Sequence, residues 1–215
     1  MFLCWSAKGG SGTTVIAAAL ALVLSQRDAT TNPTTVVDLA GDLPAALGIA
    51  EPAGPGVRDW MASSTADAAA LQRLCVAVSD TLQLLPVGNA LPIIDRWADL
   101  AETLRRHAVV VDAGTGVPPA PLIAAADHNL LVTRPCYLAL RLATASGVQP
   151  TGIVLVGEPG RALTARDIER AVGAPVVAEL HYDPTVARAV DAGLLAARLP
   201  ATLAHALSRA LKKAA

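Results

Sequence analysis

Lys8-Gly9-Gly10-Ser11-Gly12-Thr13-Thr14 is the stretch of this 215-residue chain whose residue types and spacing best suit chemistry, and that chemistry is phosphate binding. Lys8 is the only lysine before residue 212, and arginine supplies most of the 17 basic residues. A compact ammonium in a glycine turn reaches a phosphate where a planar guanidinium would not fit. The glycines permit the tight, positive-φ backbone that aims successive N–H groups into one concavity. The apolar run Met1-Phe2-Leu3-Cys4-Trp5 reads as a strand before the turn, and Val15 to Leu22 reads as a helix after it. The N-terminus of that helix adds positive potential at the same point. Strand, glycine loop and helix in this order predict a phosphate cradle built by Lys8, Gly9, Gly10, Ser11, Gly12, Thr13 and Thr14. The usual pattern G-x-x-x-x-G-K-[ST] is incomplete, because Thr13 stands at its lysine while Thr14 keeps the Mg²⁺-ligating hydroxyl. A glycine turn that binds nothing is the plain alternative.

Two further apolar runs end in carboxylates. The first gives Val36-Val37-Asp38-Leu39-Ala40-Gly41-Asp42, and the second gives Val109-Val110-Val111-Asp112-Ala113-Gly114-Thr115-Gly116. Carboxylates beside a phosphate cradle hold Mg²⁺ through water or orient an attacking water. Asx turns closing a strand use the same residues, and the local sequence leaves both readings open.

Taken in order, these segments resemble the ParA/MinD superfamily of P-loop ATPases, whose deviant Walker A loop reads K-G-G-x-G-K-[ST]. The resemblance implies ATP/ADP and Mg²⁺ as cofactors, with Thr14, Asp38 and Asp112 serving the metal. It implies a homodimer that sandwiches two nucleotides, with Lys8 crossing to the partner's phosphates. Slow hydrolysis would then switch the dimer off in a spatial-positioning role, through a protein partner or cargo adaptor. The family's Asp-x-Asp switch has its hydrolytic aspartate where this chain has Ala40, which leaves Asp42 as the substitute carboxylate and Lys8 as the charge donor. Because two groups expected to drive phosphoryl transfer are replaced, the second reading is a nucleotide-binding scaffold controlled by occupancy alone.

Asp112 to Gly116 resembles the family's D-x-P-x-G segment with Gly114 in place of proline, from which a looser loop is expected. Thr133-Arg134-Pro135 resembles its T-x-P strand end. The late segment implies base contacts near Gly157-Glu158-Pro159 and at His181-Tyr182-Asp183-Pro184, although His181 and Tyr182 equally suit an ordinary strand-end surface. Gly41 to Gly48 looks most like the CpaE/TadZ branch, which localises pilus or secretion machinery at a cell pole.

The elements that must position these residues alternate along the chain. Strands are predicted at 2–6, 34–39, 82–87, 108–112, 128–133, 151–156 and 175–180, and helices at 14–26, 92–106, 119–126, 137–146, 163–172, 184–194 and 201–213. Nearly continuous apolar strands such as Gly152 to Val156 suit the interior of a parallel sheet. The expectation is one α/β domain spanning 1–215, a mostly parallel wound sheet with helices on both faces, like the P-loop NTPases of the SIMIBI type. Segment 51–80 reads as a turn and short helices around Trp60.

The chain is 53% hydrophobic but only 3% aromatic, so its core must be closely packed Ala, Val and Leu. Cys4, Cys75 and Cys136 are too widely spaced for a metal or disulfide pattern. No apolar run reaches membrane-spanning length and no secretory signal is visible, so a cytoplasmic location is expected, with recruitment to a pole, nucleoid or membrane surface. A net charge of −1 implies weak or indirect contact with DNA. Leu203, Leu207 and Leu211 recur every four residues ahead of Lys212 and Lys213, the stripe of an amphipathic helix. A helix closing on the sheet is favoured over a membrane anchor at 201–215, because the stripe lacks bulky Phe or Trp.

Overall fold

Alternation of inward side chains along a strand decides which helix each strand meets, and eight strands here share one sheet. The structure, a computed structural model, describes residues 1–27, 33–91, 96–105 and 108–214, with side chains described as far as Leu211. In chain order the elements are β1 (Phe2–Ser6), α1 (Thr13–Arg27), β2 (Thr34–Asp38), α2 (Leu43–Leu47), α3 (Val57–Ala62), α4 (Ala68–Gln72), β3 (Val76–Ala77), β4 (Leu82–Leu85) and α5 (Trp97–Leu104). There follow β5 (Val109–Thr115), α6 (Ala120–Ala125), β6 (His128–Thr133), α7 (Tyr137–Ala145), β7 (Gly152–Val156), α8 (Ala165–Val172), β8 (Val176–Leu180), α9 (Pro184–Asp191) and α10 (Ala201–Ala214).

The sheet order is β3-β4-β2-β5-β1-β6-β7-β8, and every pairing is parallel except β3 with β4. From β1 the chain crosses β5 to reach β2, whereas from β5 it crosses β1 to reach β6. The carboxyl ends of β1 and β5 therefore flank the switch point at which open α/β sheets bind ligands.

Both faces are covered, as the near-continuous apolar strands require. Cys4, Val36, Val110, Val132 and Val154 point to a layer containing α1, α2 and α10. Their neighbours Leu3, Val37, Val109 and Val111 point the other way, onto α3, α4, α5 and α6. Every residue of α1 from Ile16 to Ser25 is buried. Its alanines let sheet and helices approach from all sides, which is how a core so poor in aromatics closes. Trp5, fully buried, places its indole N–H on Asn129 Oδ1 at 2.7 Å. Leu203, Leu207 and Leu211 of α10 are buried in the α1 layer, so the leucine stripe is spent on the protein's own core. The basic pair Lys212 and Lys213 lies outside the described side chains, as do parts of the expected 92–106 helix outside the described residues. No helix among the described residues is long and apolar enough to cross a membrane.

Candidate functional site

The loop from Ser6 to Thr13 joins β1 to α1 and carries the backbone shape its glycines permit. Gly10 and Gly12 have φ of 77° and 91°, and a Cβ on either would meet nothing within 4 Å, so the space above the loop is open. Ser11 is turned inward and closes the loop on itself, its Oγ donating to Lys8 O at 2.7 Å. The first helical bond runs from Ile16 N to Gly12 O. Lys8 folds along the rim, with Nζ donating to Gly9 O at 3.4 Å, and it does not line the cleft. The cleft of about 500 Å³ is walled by Gly10 to Val15, by Leu39, Ala40 and Asp42 after β2, and by Ala113 to Thr115 on β5. That volume suits a small ligand, and Ser11, Thr13, Thr14, Asp42 and Thr115 line it beside the apolar Val15, Leu39 and Ala40.

Asp38 ends β2 and is fully buried. Its Oδ1 accepts from Ala40 N at 3.0 Å and Gly41 N at 2.6 Å, and its Oδ2 accepts from Leu43 N at 3.1 Å. The carboxylate therefore shapes the loop that follows it. Burial raises its pKa, opposed by these three bonds. Asp42 is exposed at the N-terminus of α2, yet its side chain makes no capping bond, which leaves the carboxylate free at the rim.

Asp112, opposite Asp38 on β5, is also fully buried. Its Oδ1 accepts from Gly114 N at 3.0 Å, while Oδ2 has no hydrogen-bond partner. Burial pushes its pKa up to about 6, the Thr14 hydroxyl and Gly114 N–H pull it down, and Asp38 and Asp42 add to the rise. Thr13, standing where lysine is usual, is buried with Oγ1 likewise unpartnered. Unsatisfied buried oxygens are costly and point to a ligand that completes them. Thr14, Asp38 and Asp112 carry hard oxygens of the kind that suits Mg²⁺, but only Thr14 of the three lines the cleft, and Asp38 spends both oxygens on loop N–H groups. No cluster of three or more His, Cys, Asp or Glu side chains built to cage a metal occurs among the described residues.

Gly114 differs from the looser loop expected at that position. Its φ is 65°, which proline cannot adopt, and its N–H holds Asp112. Ser6 Oγ adds a bond to Gly114 O at 3.3 Å, and Gly116 N donates to Ser6 O at 2.9 Å. The substitution that removes the proline creates a pinned corner. Ala40 stands beside it at the cleft, exposed, with its Cβ 3.0 Å from where a Gly114 Cβ would be, so a side chain at 114 would crowd Ala40. Ser6, which no local signal marks, joins this corner only through its bulged pairing with Thr115.

A wider groove of about 1330 Å³ opens beyond Gly12 and Val15, past Arg134, Gly157 and Glu158 to His181, Tyr182 and Asp183. Gly157 is zipped to β8, its N donating to Leu180 O at 2.7 Å. Asp183 caps α9 through Thr185 N at 2.8 Å and holds Thr202 Oγ1 at 2.7 Å, so its carboxylate ties α9 to α10. Pro184 is exposed at the start of α9 and is not among the groove's lining residues.

No protein-family model matches the chain, and no curated protein matches it in sequence. Solved structures do match in fold. A ParA family ATPase from Chlorobium tepidum TLS superposes with a TM-score of 0.80 at 23% identity, covering 98% of this chain and 96% of that one. The septum site-determining protein MinD from Pyrococcus horikoshii OT3, complexed with Mg-ADP, gives 0.75 at 17% identity over 99% and 95%. A chain of the MinC:MinD cell division protein complex of Aquifex aeolicus gives 0.76 at 17% over 99% and 95%. The α/β fold, with its eight-stranded, mostly parallel sheet, is that of the ParA/MinD P-loop ATPases.

Proposed function

We propose that the chain is an ATP-binding switch of the ParA/MinD kind, acting as a homodimer in spatial positioning. The observation that carries this reading is the cleft at the switch point, where an open glycine cradle is lined by Thr13, whose buried Oγ1 has no partner, with Asp112 Oδ2 on β5 likewise unpartnered. Backbone N–H groups of Gly10 to Thr14 bind the phosphates, helped by the N-terminal potential of α1. Thr14, Asp38 and Asp112 would hold Mg²⁺, which supplies positive charge to the phosphate oxygens when bound. Within one chain the cleft wall carries one carboxylate, Asp42, and no ammonium, since Lys8 is not among its lining residues. A second copy facing this cleft brings its own Lys8, and that is the charge the site lacks. Asp42, free at the rim, is the carboxylate placed to orient a water.

Thr13 and Ala40, which stand where the resemblance places the loop lysine and the hydrolytic aspartate, favour a second reading, in which ATP is bound but hardly turned over and occupancy alone controls dimerisation. A positioned donor group is worth about 3–4 kcal/mol in a transition state, so loss of the usual lysine and aspartate lowers the rate by orders of magnitude unless Lys8 and Asp42 replace them. Fold neighbours with named roles in septum placement and in a cell-division complex support a role through a protein partner or cargo adaptor. The Gly41–Gly48 segment supports the CpaE/TadZ-like version of it, with pilus or secretion machinery as cargo. Contact with DNA or membrane is not needed by this reading, because α10 is committed to the core.

Calorimetric titration with Mg-ATP, for the wild type and Thr14→Ala, tests the reading. Micromolar binding that is lost in the variant supports it, and no binding by the wild type refutes it. Phosphate release in the same samples separates the ATPase from the occupancy switch.

A further inference from the structure

We infer that Arg58 is a positioning residue for the phosphate cleft, clamping the Leu39–Ala40 peptide from outside while Asp38 clamps it from inside. The inference rests on the nucleotide-binding reading of that cleft. Arg58 Nη2 donates to Leu39 O at 3.3 Å, and Ala40 N donates to Asp38 Oδ1 at 3.0 Å. These are the two polar ends of one peptide group, so its plane is fixed by both side chains at once. Immediately beyond it stand Ala40, which lies beside Gly114, and Asp42 at the cleft rim.

The base from which Arg58 reaches is rigid. Val57 N donates to Pro86 O at 2.8 Å and Arg58 N to Val87 O at 3.0 Å, so the start of α3 is zipped to the chain leaving β4. Asp59 accepts from Gly56 N at 2.8 Å, Asn89 N at 3.0 Å and Ala90 N at 3.1 Å. Gly56 and Gly88 touch backbone to backbone, since a Cβ on Gly56 would lie 2.3 Å from Gly88 N. Arg58 itself is half-buried, and among the described residues no carboxylate pairs with it. With no acid partner among the described residues, the guanidinium spends a charge-assisted donor on a neutral carbonyl, which holds that carbonyl in place. Releasing it frees the peptide to rotate, which breaks the Ala40 bond to Asp38 and moves the rim that carries Asp42.

Hydrogen exchange of the protein without nucleotide, followed by Mg-ATP titration, tests this in wild type, Arg58→Ala and Arg58→Lys. The clamp predicts faster exchange at Ala40 and Gly41 in Arg58→Ala, unchanged exchange at Asn89 and Ala90, and roughly tenfold weaker Mg-ATP binding. Arg58→Lys, which still donates to a carbonyl, should recover most of both. Unchanged Ala40 and Gly41 amides in Arg58→Ala overturn the clamp, and so does loss of protection spread over Asn89 and Ala90, which would mark a merely structural role. If the wild type fails to bind Mg-ATP, the nucleotide reading falls, while the exchange pattern still decides whether Arg58 holds the peptide.

Discussion

Asp38 and Asp112 face each other at the carboxyl ends of adjacent parallel strands, both without solvent exposure. Asp38 is satisfied by three N–H groups of its own loop, and Asp112 keeps one oxygen unpaired. The asymmetry assigns Asp38 to shaping the loop and leaves Asp112 as the group that still needs a partner.

A pH dependence of the nucleotide-free protein follows. Burial raises Asp112 from the ordinary 3.8 to about 6, so the folded state binds its proton more tightly than the unfolded chain does. The resulting stability is fully present below the unfolded value and is lost as pH rises through about 6. The loss is at most roughly 3 kcal/mol. Asp38, raised in the same direction, adds to it. Urea denaturation should therefore show lower stability at pH 8 than at pH 5, and Asp112→Asn should flatten that slope and raise stability at pH 8. A wild-type stability that climbs from pH 5 to pH 8 would count against the buried, uncompensated carboxylate.

Thr13→Val separates a hydroxyl kept for a ligand from one kept for the fold. The side chain is buried and its Oγ1 has no partner, so the isosteric swap should leave stability unchanged or raise it by about 1 kcal/mol. Mg-ATP affinity should fall at the same time. Loss of stability with affinity intact would show that the hydroxyl serves the apo fold.

Lys8→Ala should leave the melting temperature within about a degree or two of wild type, because the ammonium touches only its own loop. Its effect should appear in nucleotide-dependent association and turnover. Thermal scans with and without Mg-ATP will separate the two.

Gly48 is the stability-sensitive position behind the switch loop. It ends α2 at φ 76°, and a Cβ there would fall 1.9 Å from Gly193 O at the end of the α9 segment. Gly48→Ala should cost more than about 2 kcal/mol in urea denaturation, from left-handed strain and the backbone clash together. Gly54→Ala, where a Cβ meets nothing within 4 Å, should cost little and serves as the control.

Much of the fold was legible because its signals are local. Apolar runs marked β1, β2, β5, β6 and β7, and the candidate residues Asp38 and Asp112 directly follow such runs, while Thr14 follows the glycine loop after β1. What escaped depends on partners distant in sequence. β5 continues to Thr115, beyond the expected end at 112, because Ser6 pairs with Thr115 across a bulge. The two-residue β3 exists only through its antiparallel pairing with β4, and five-residue α2 is too short to show a helical period. Proline's absence at Gly114 suggested looseness, whereas a positive φ and two hydrogen bonds make a fixed corner. Arg58 was invisible for the same reason as Ser6, since its meaning lies in the carbonyl it reaches.

A nucleotide cleft completed by the Lys8 of a second copy must show itself in solution mass. Light scattering after size exclusion should give one chain's mass without nucleotide and twice that mass with Mg-ATP or a slowly hydrolysed analogue. Lys8→Ala should remain at one chain's mass under both conditions. A wild type that binds Mg-ATP yet stays a single chain, or a Lys8→Ala variant that dimerises as readily, would contradict the account.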